Sequence, residues 1–76
     1  MNADMVRYML RLGKEAYSPV NYTKDFVSSR KFYKWVIKHR NISGFDIVKF
    51  QHSLPSITDV EMLEMWSMYK IEQEEV

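Results

Sequence analysis

Pro19 and Pro55 divide this 76-residue chain into three lengths, and each length carries helical periodicity. A residue that precedes proline avoids the helical region, so Pro19 ends the first helix, and Pro55 closes the segment that begins at Phe45. In the first length, Ala3 to Tyr17 reads as a helix. Met5, Val6, Met9, Leu10, Gly13, Ala16 and Tyr17 share one face, while Asp4, Arg7, Arg11, Lys14 and Glu15 share the other. Asn2 or Asp4 can cap its start. Gly13 weakens such a helix by roughly 1 kcal/mol relative to alanine. A close crossing with another helix is a reason for a glycine there.

The middle length opens with a turn, Ser18 to Thr23. Thr23 can cap a short helical piece, Lys24 to Val27. The next helix either continues through Ser28 and Ser29 or restarts with Ser28 as its cap. It stops near Arg40, where Asn41, Ser43 and Gly44 supply stop chemistry. Phe32, Tyr33, Val36 and Ile37 form its apolar stripe. Arg30, Lys34 and Lys38 stand four apart on another face, with Lys31 beside them. Residues 45–54 suit a short helix lined by Ile47, Phe50 and Leu54, with Val48 alongside. Their β-branched and aromatic content also suits a strand. No second strand candidate exists to pair with it, which favours helix.

The last length begins with a capping box, Thr58-Asp59-Val60-Glu61. The helix it starts runs to about Gln73, and residues 73–76 are expected to fray. Met62, Leu63, Met65, Trp66 and Tyr69 share a broad face. Val60, Met68 and Ile71 lie on a second one, separated from the first by Glu61, Glu64 and Glu72. A helix packed on one side has no need of that second stripe. The expectation is an all-α, single-domain bundle of about four helices, two long and two short, spanning 1–76.

Composition agrees with a packed chain. Apolar residues at 46% and aromatics at 14% are too abundant for disorder. A chain this short buries only about 60% of the surface its unfolded form exposes, and with no cysteine it has no disulfide or thiolate site to add stability. Met5 to Leu12 is interrupted by Arg7 and Arg11, so it is no signal-peptide core. No run reaches the ~18 apolar residues of a membrane span. The reading is a soluble, cytoplasmic protein with no membrane partner.

The net charge of +1 hides an asymmetry. Residues 24–49 hold seven basic side chains against two acidic ones, a balance of +5. Residues 54–76 hold six acids against Lys70, a balance of −5. Either the middle meets an anionic partner, or the two halves neutralise each other within the fold.

Two likenesses bear on the basic segment. Phe26 to Trp35, with a serine pair before an aromatic pair, resembles a helix-turn-helix recognition helix, although the glycine frequent in that turn is missing and the helix before it would be short. The interleaving of basic and aromatic residues itself suits DNA or RNA binding through Arg30, Lys31, Lys34, Trp35, Lys38 and Arg40, whose cations neutralise phosphates while an exposed ring stacks on bases. Phe32 to Lys38, followed by Leu54-Pro55 and a closing helix, resembles small bacterial helical domains of the sterile-alpha-motif-like type over roughly half the chain. That likeness implies a compact interaction module and assigns no residue a role. Without either likeness, the rings are core filler and the lysines a hydrated face, with Trp35 the awkward residue between Lys31, Lys34 and Lys38.

Five of the six methionines fall in the terminal helices, which suits packing of the first helix on the last through Met9, Leu10, Met62 and Trp66. His39 and His52 have no further His or Cys to complete a metal site, and His39 fits the dipole at a helix C-terminus. No nucleophile elbow, phosphate loop or metalloprotease motif is present. The chain therefore reads as a non-enzymatic interaction module with no metal or cofactor, in a regulatory or accessory role, of a size that suits a phage or mobile-element product. Val60, Met68 and Ile71, rimmed by Glu61, Glu64 and Glu72, are the candidate protein-binding residues, and Arg30, Lys34 and Lys38 would steer an acidic partner. The alternatives are the nucleic-acid regulator above and self-association, as a homodimer, through helix 58–73.

Overall fold

The computed structural model describes residues 1–14 and 24–74. Four helices follow in order: α1 (Ala3–Lys14), α2 (Lys24–His39), α3 (Asp46–Ser53) and α4 (Asp59–Glu74), with a 3-10 turn at Leu54–Ser56 between the last two. No strand occurs among the described residues. The protein is all-α, as the sequence led us to expect. The continuation of α1 to Tyr17, the turn at 18–23 and the Thr23 cap lie outside the described residues, as do 75 and 76.

One hydrophobic cluster draws on every element. Ala3, Val6, Met9 and Leu10 come from α1, and Phe32, Tyr33 and Val36 from α2. Phe50, Leu54 and the α4 residues Met62, Met65 and Tyr69 complete it. The α1–α2 crossing is the tightest contact. A methyl group added at Gly13 would stand 2.5 Å from Tyr33 Cβ and 2.6 Å from the Ser29 carbonyl oxygen. The two helices meet backbone to backbone there, which only glycine on one side and a small buried Ser29 on the other allow. The helical cost of Gly13 is offset by this approach.

The helix ends follow local chemistry. Asn2 Oδ1 accepts from the Met5 backbone N–H at 2.9 Å and caps α1. Thr58 Oγ1 accepts from the Glu61 N–H at 3.2 Å, completing half of the expected capping box. The Glu61 carboxylate does not return to Thr58 and faces Arg40 instead. At the end of α2, Asn41 takes a left-handed φ of 54°. The Ile42 N–H then reaches the Ile37 carbonyl at 3.0 Å, and the Asn41 N–H reaches Lys38 at 3.2 Å. These paired bonds are a Schellman stop.

Several expectations need correction. α2 runs unbroken through Ser28 and Ser29, so no turn of the helix-turn-helix kind lies there. Ser28, the cap expected for a restarted helix, lies inside α2 with no N-terminus to cap, and Ser29 is buried against α1. The choice of helix over strand for the segment after Gly44 stands: residues 46–53 are helical. Met5, assigned to the core face, is 48% exposed, and Leu63 is 38% exposed. α1 buries a narrow stripe, and α4 buries Met62, Met65 and Tyr69, with Trp66 half-buried against Phe32. Arg7, assigned to the wet face, is the opposite case: its side chain is only 13% exposed.

Candidate functional site

Two surfaces stand out, on opposite sides of the charge asymmetry. The first is the outer face of α4. Successive α-helical residues turn by about 100°, so the buried Met62, Met65 and Tyr69 place Val60, Leu63, Ser67 and Ile71 on the far side. Val60 is 67% exposed, Ile71 58% and Met68 46%; with Leu63 they form an apolar ridge around Ser67. Glu64 interrupts the ridge, and Glu61 and Glu72 border its Met68 edge. Among the six residues singled out from the sequence, all lie on or beside this ridge. Leu63 is the member that sequence reasoning missed. Its three- and four-residue spacing from Val60 and Ser67 was the available signal, but it also fitted the core face.

The second surface is a groove of about 380 Å³ between α2 and the segment that leads into α3. Tyr33, Ile37, Ile42 and Ile47 give it apolar walls, and Arg30, Lys34 and Lys38 line its rim. The Schellman stop creates it, because Ile42 folds back over Ile37 once Asn41 reverses the chain. A hydrophobic residue just past an asparagine stop commonly makes that contact, and this was the signal by which Ile42 could have been found.

The structure does not use the six basic and aromatic residues as one strip. Arg30 donates to the Gly13 carbonyl, and its guanidinium lies 5.5 Å from the Tyr33 ring centre. Arg40 pairs with Glu61 at 3.4 Å. Trp35 is half-buried. Its Nε1–H donates to Glu72 at 2.7 Å, one ring neighbour is His39 at 4.6 Å, nearly parallel, and another is Tyr69 at 5.5 Å. The indole thus joins α2 to α4 rather than standing open among lysines. The basic and acidic halves do meet within the fold, through Arg40–Glu61 and Trp35–Glu72. Lys34 and Lys38 remain exposed on the groove rim, and Lys31, also exposed, does not line the groove.

Arg7 has a structural task that the sequence concealed. It donates from Nε to the Leu54 carbonyl at 3.3 Å and from an Nη to the Ile57 carbonyl at 2.7 Å. It also pairs with Asp59 and with Asp4. One guanidinium therefore holds the α3–α4 connection against α1 and orients the start of α4. Gln51 Nε2 adds a bond to the Leu10 carbonyl at 3.1 Å. Burial raises the Tyr33 hydroxyl above its ordinary pKa, against the opposing pull of Arg30 and a Gln51 hydrogen bond; burial alone raises Tyr69. Both rings are buried in the core, and Tyr33 also forms part of the groove wall.

Among the described residues, no group of three His, Cys, Asp or Glu side chains is placed to hold a metal ion, and no helix is long and apolar enough to cross a membrane. Compared with protein families, curated proteins and solved structures, the chain matches none.

Proposed function

We propose that this chain is a non-enzymatic interaction module of the cytoplasm, acting by occupying the surface of another protein through the outer face of α4. The observation that supports this reading is the double-faced helix. Met62, Met65 and Tyr69 already satisfy the packing of α4, yet Val60, Leu63, Met68 and Ile71 add a second apolar stripe in contact with water. Contiguous exposed apolar surface marks interaction sites more often than it marks inert surface. The glutamates beside it indicate the partner's chemistry: an apolar groove or helix face bordered by lysine or arginine. Binding would be steric or allosteric in effect, and a regulatory or accessory role follows from it.

A photo-reactive residue at position 71 tests the reading. It is expected to join the chain to a protein in its native cell, and Met68→Glu in the same chain is expected to abolish the product. A photo-reactive residue at the exposed Asp4 serves as the control. No ridge-dependent product would sink the proposal.

The rival reading, DNA or RNA binding, keeps the exposed Lys31, Lys34 and Lys38 as its support. It requires a complex that weakens steeply as salt rises, in proportion to the phosphates neutralised. A mobility-shift titration at low salt that shows no complex removes it.

A further inference from the structure

We infer that the partner of the α4 ridge is the α2–α3 groove of a second copy of this chain, in a head-to-tail contact. The inference rests on the reading of the ridge as a docking surface and names its occupant. The two surfaces are complementary in chemistry. The ridge offers Val60, Leu63, Met68 and Ile71 with Glu64 among them, and Glu61 and Glu72, which also bond Arg40 and Trp35 of their own chain, at its edge. The groove offers Tyr33, Ile37, Ile42 and Ile47 with the exposed Lys34 and Lys38 on its rim, beside Arg30, which donates to Gly13. They are also similar in length. At 1.5 Å per residue, Arg30 to Lys38 spans about 12 Å and Glu61 to Glu72 about 16 Å. Apolar stripe would meet apolar floor, with carboxylates against ammonium groups at the rim.

A molecule cannot satisfy its own groove. The ridge lies on the side of α4 opposite Met62, Met65 and Tyr69, so it faces away from the core on which α2 and α3 pack. Bringing ridge and groove together within one chain would mean unpacking α4. Between copies there is little to oppose the contact, because a net charge of +1 produces almost no general repulsion. Complementary patches of opposite sign then guide the encounter.

Ridge and groove are different surfaces, so the contact is heterologous. Each docked pair leaves one free ridge and one free groove, and association continues into a chain or closes as a ring. A ridge-to-ridge homodimer would stop at two. This distinction sets the test.

Sedimentation velocity of the full chain, from micromolar to millimolar concentration, is expected to show a mass that rises beyond two copies. Raising salt should weaken the association several-fold, because the rim charges are exposed and screened. Two variants, Lys34→Glu with Lys38→Glu, and Val60→Glu with Ile71→Glu, should each be monomeric. All four sites are exposed, so both should keep wild-type helicity by circular dichroism. Mixed in equal amounts, the two variants should form a one-to-one dimer and nothing larger, because each supplies the intact surface that the other lacks.

A wild-type chain that stays monomeric at millimolar concentration overturns the inference. So does a groove variant that still dimerises alone, since that is ridge-to-ridge contact. If the wild type is monomeric but residue 71 still cross-links to a different protein, the self-docking fails while the ridge reading stands. If Met68→Glu leaves all cross-linking unchanged, the ridge reading itself fails.

Discussion

α1 and α4 are the two helices that bracket this chain, and they dispose of their apolar residues differently. α1 turns Val6, Met9 and Leu10 inward, fully or nearly so, and its exposed Met5 and Tyr8 join Met1 and the half-buried Trp66 around a shallow apolar pocket beside α2 and α4. α4 turns Met62, Met65 and Tyr69 inward and leaves a second stripe in water. Both helices carry enough hydrophobic surface to fold against a core. The excess of α4 is the one that stands clear of every other element, because Val60, Leu63, Met68 and Ile71 lie on the side opposite its core residues. The difference teaches that helix amphipathicity, and not the amount of apolar surface, separates a packing helix from one that also docks.

That contrast makes predictions whose sizes differ. The largest concern residues buried in α1. Leu10 is fully buried, and Leu10→Ala removes its packing and leaves a cavity, so a loss of about 3 kcal/mol is expected in urea denaturation. In a domain of this size that is a large share of a total of roughly 4–11 kcal/mol. A loss under about 1 kcal/mol would mean that α1 is not the core helix described above.

Arg7→Ala comes next, at about 2 kcal/mol. Its ion pairs with Asp4 and Asp59 contribute little, because those carboxylates are 93% and 72% exposed. The loss comes from the carbonyls of Leu54 and Ile57, which keep no charged donor. Arg40→Ala, which breaks only the half-exposed pair with Glu61, should cost under about 0.5 kcal/mol. Equal effects from the two arginines would remove the special role of Arg7.

Gly13→Ala sets two terms against each other. Alanine gains roughly 1 kcal/mol of helix propensity, but its methyl group meets Tyr33 Cβ and the Ser29 backbone at contact distances that neither can relieve without moving the helices. Overpacking of this kind costs about 1–3 kcal/mol, so a net loss on the order of 1 kcal/mol and a lower melting temperature are expected. Stabilisation instead would show that the α1–α2 crossing is looser than described.

Alkaline pH probes the same crossing. Burial raises the Tyr33 pKa above its ordinary value of 10.0 in the folded state. A group raised in this way favours the folded form while it stays protonated. Its contribution is therefore complete below the unfolded pKa and is lost as pH rises through the folded one. Stability should hold below pH 10 and fall above it, and Tyr33→Phe should flatten that fall. Tyr69, raised by burial as well, leaves a remainder.

The smallest stability effect belongs to the ridge. Ile71→Gln changes an exposed residue and should alter the unfolding free energy by less than about 0.5 kcal/mol. Denaturation of a dilute, monomeric sample checks it. A loss like that of Leu10→Ala would place the ridge in a core and erase the contrast between the helices.

The sequence by itself determined the helices and much of the core. Periodicity placed Phe32, Tyr33, Val36, Met62 and Tyr69 inward, the Thr58 cap marked where α4 starts, and Gly13 signalled a close crossing. These are local or nearly local facts, because a helix closes its hydrogen bonds within four residues and its faces follow from spacing alone. Only the tertiary structure decided the rest. Arg7 looks like any wet-face arginine until Leu54 and Ile57, far along the chain, present their carbonyls to it. Trp35 looks like an open ring among lysines until Tyr69 and Glu72 of α4 come alongside. The groove needs Ile42 and Ile47 brought over α2. In each case the sequence supplied a group able to bond or pack in more than one way, and the choice belonged to a neighbour distant in sequence, which spacing along one helix cannot reveal.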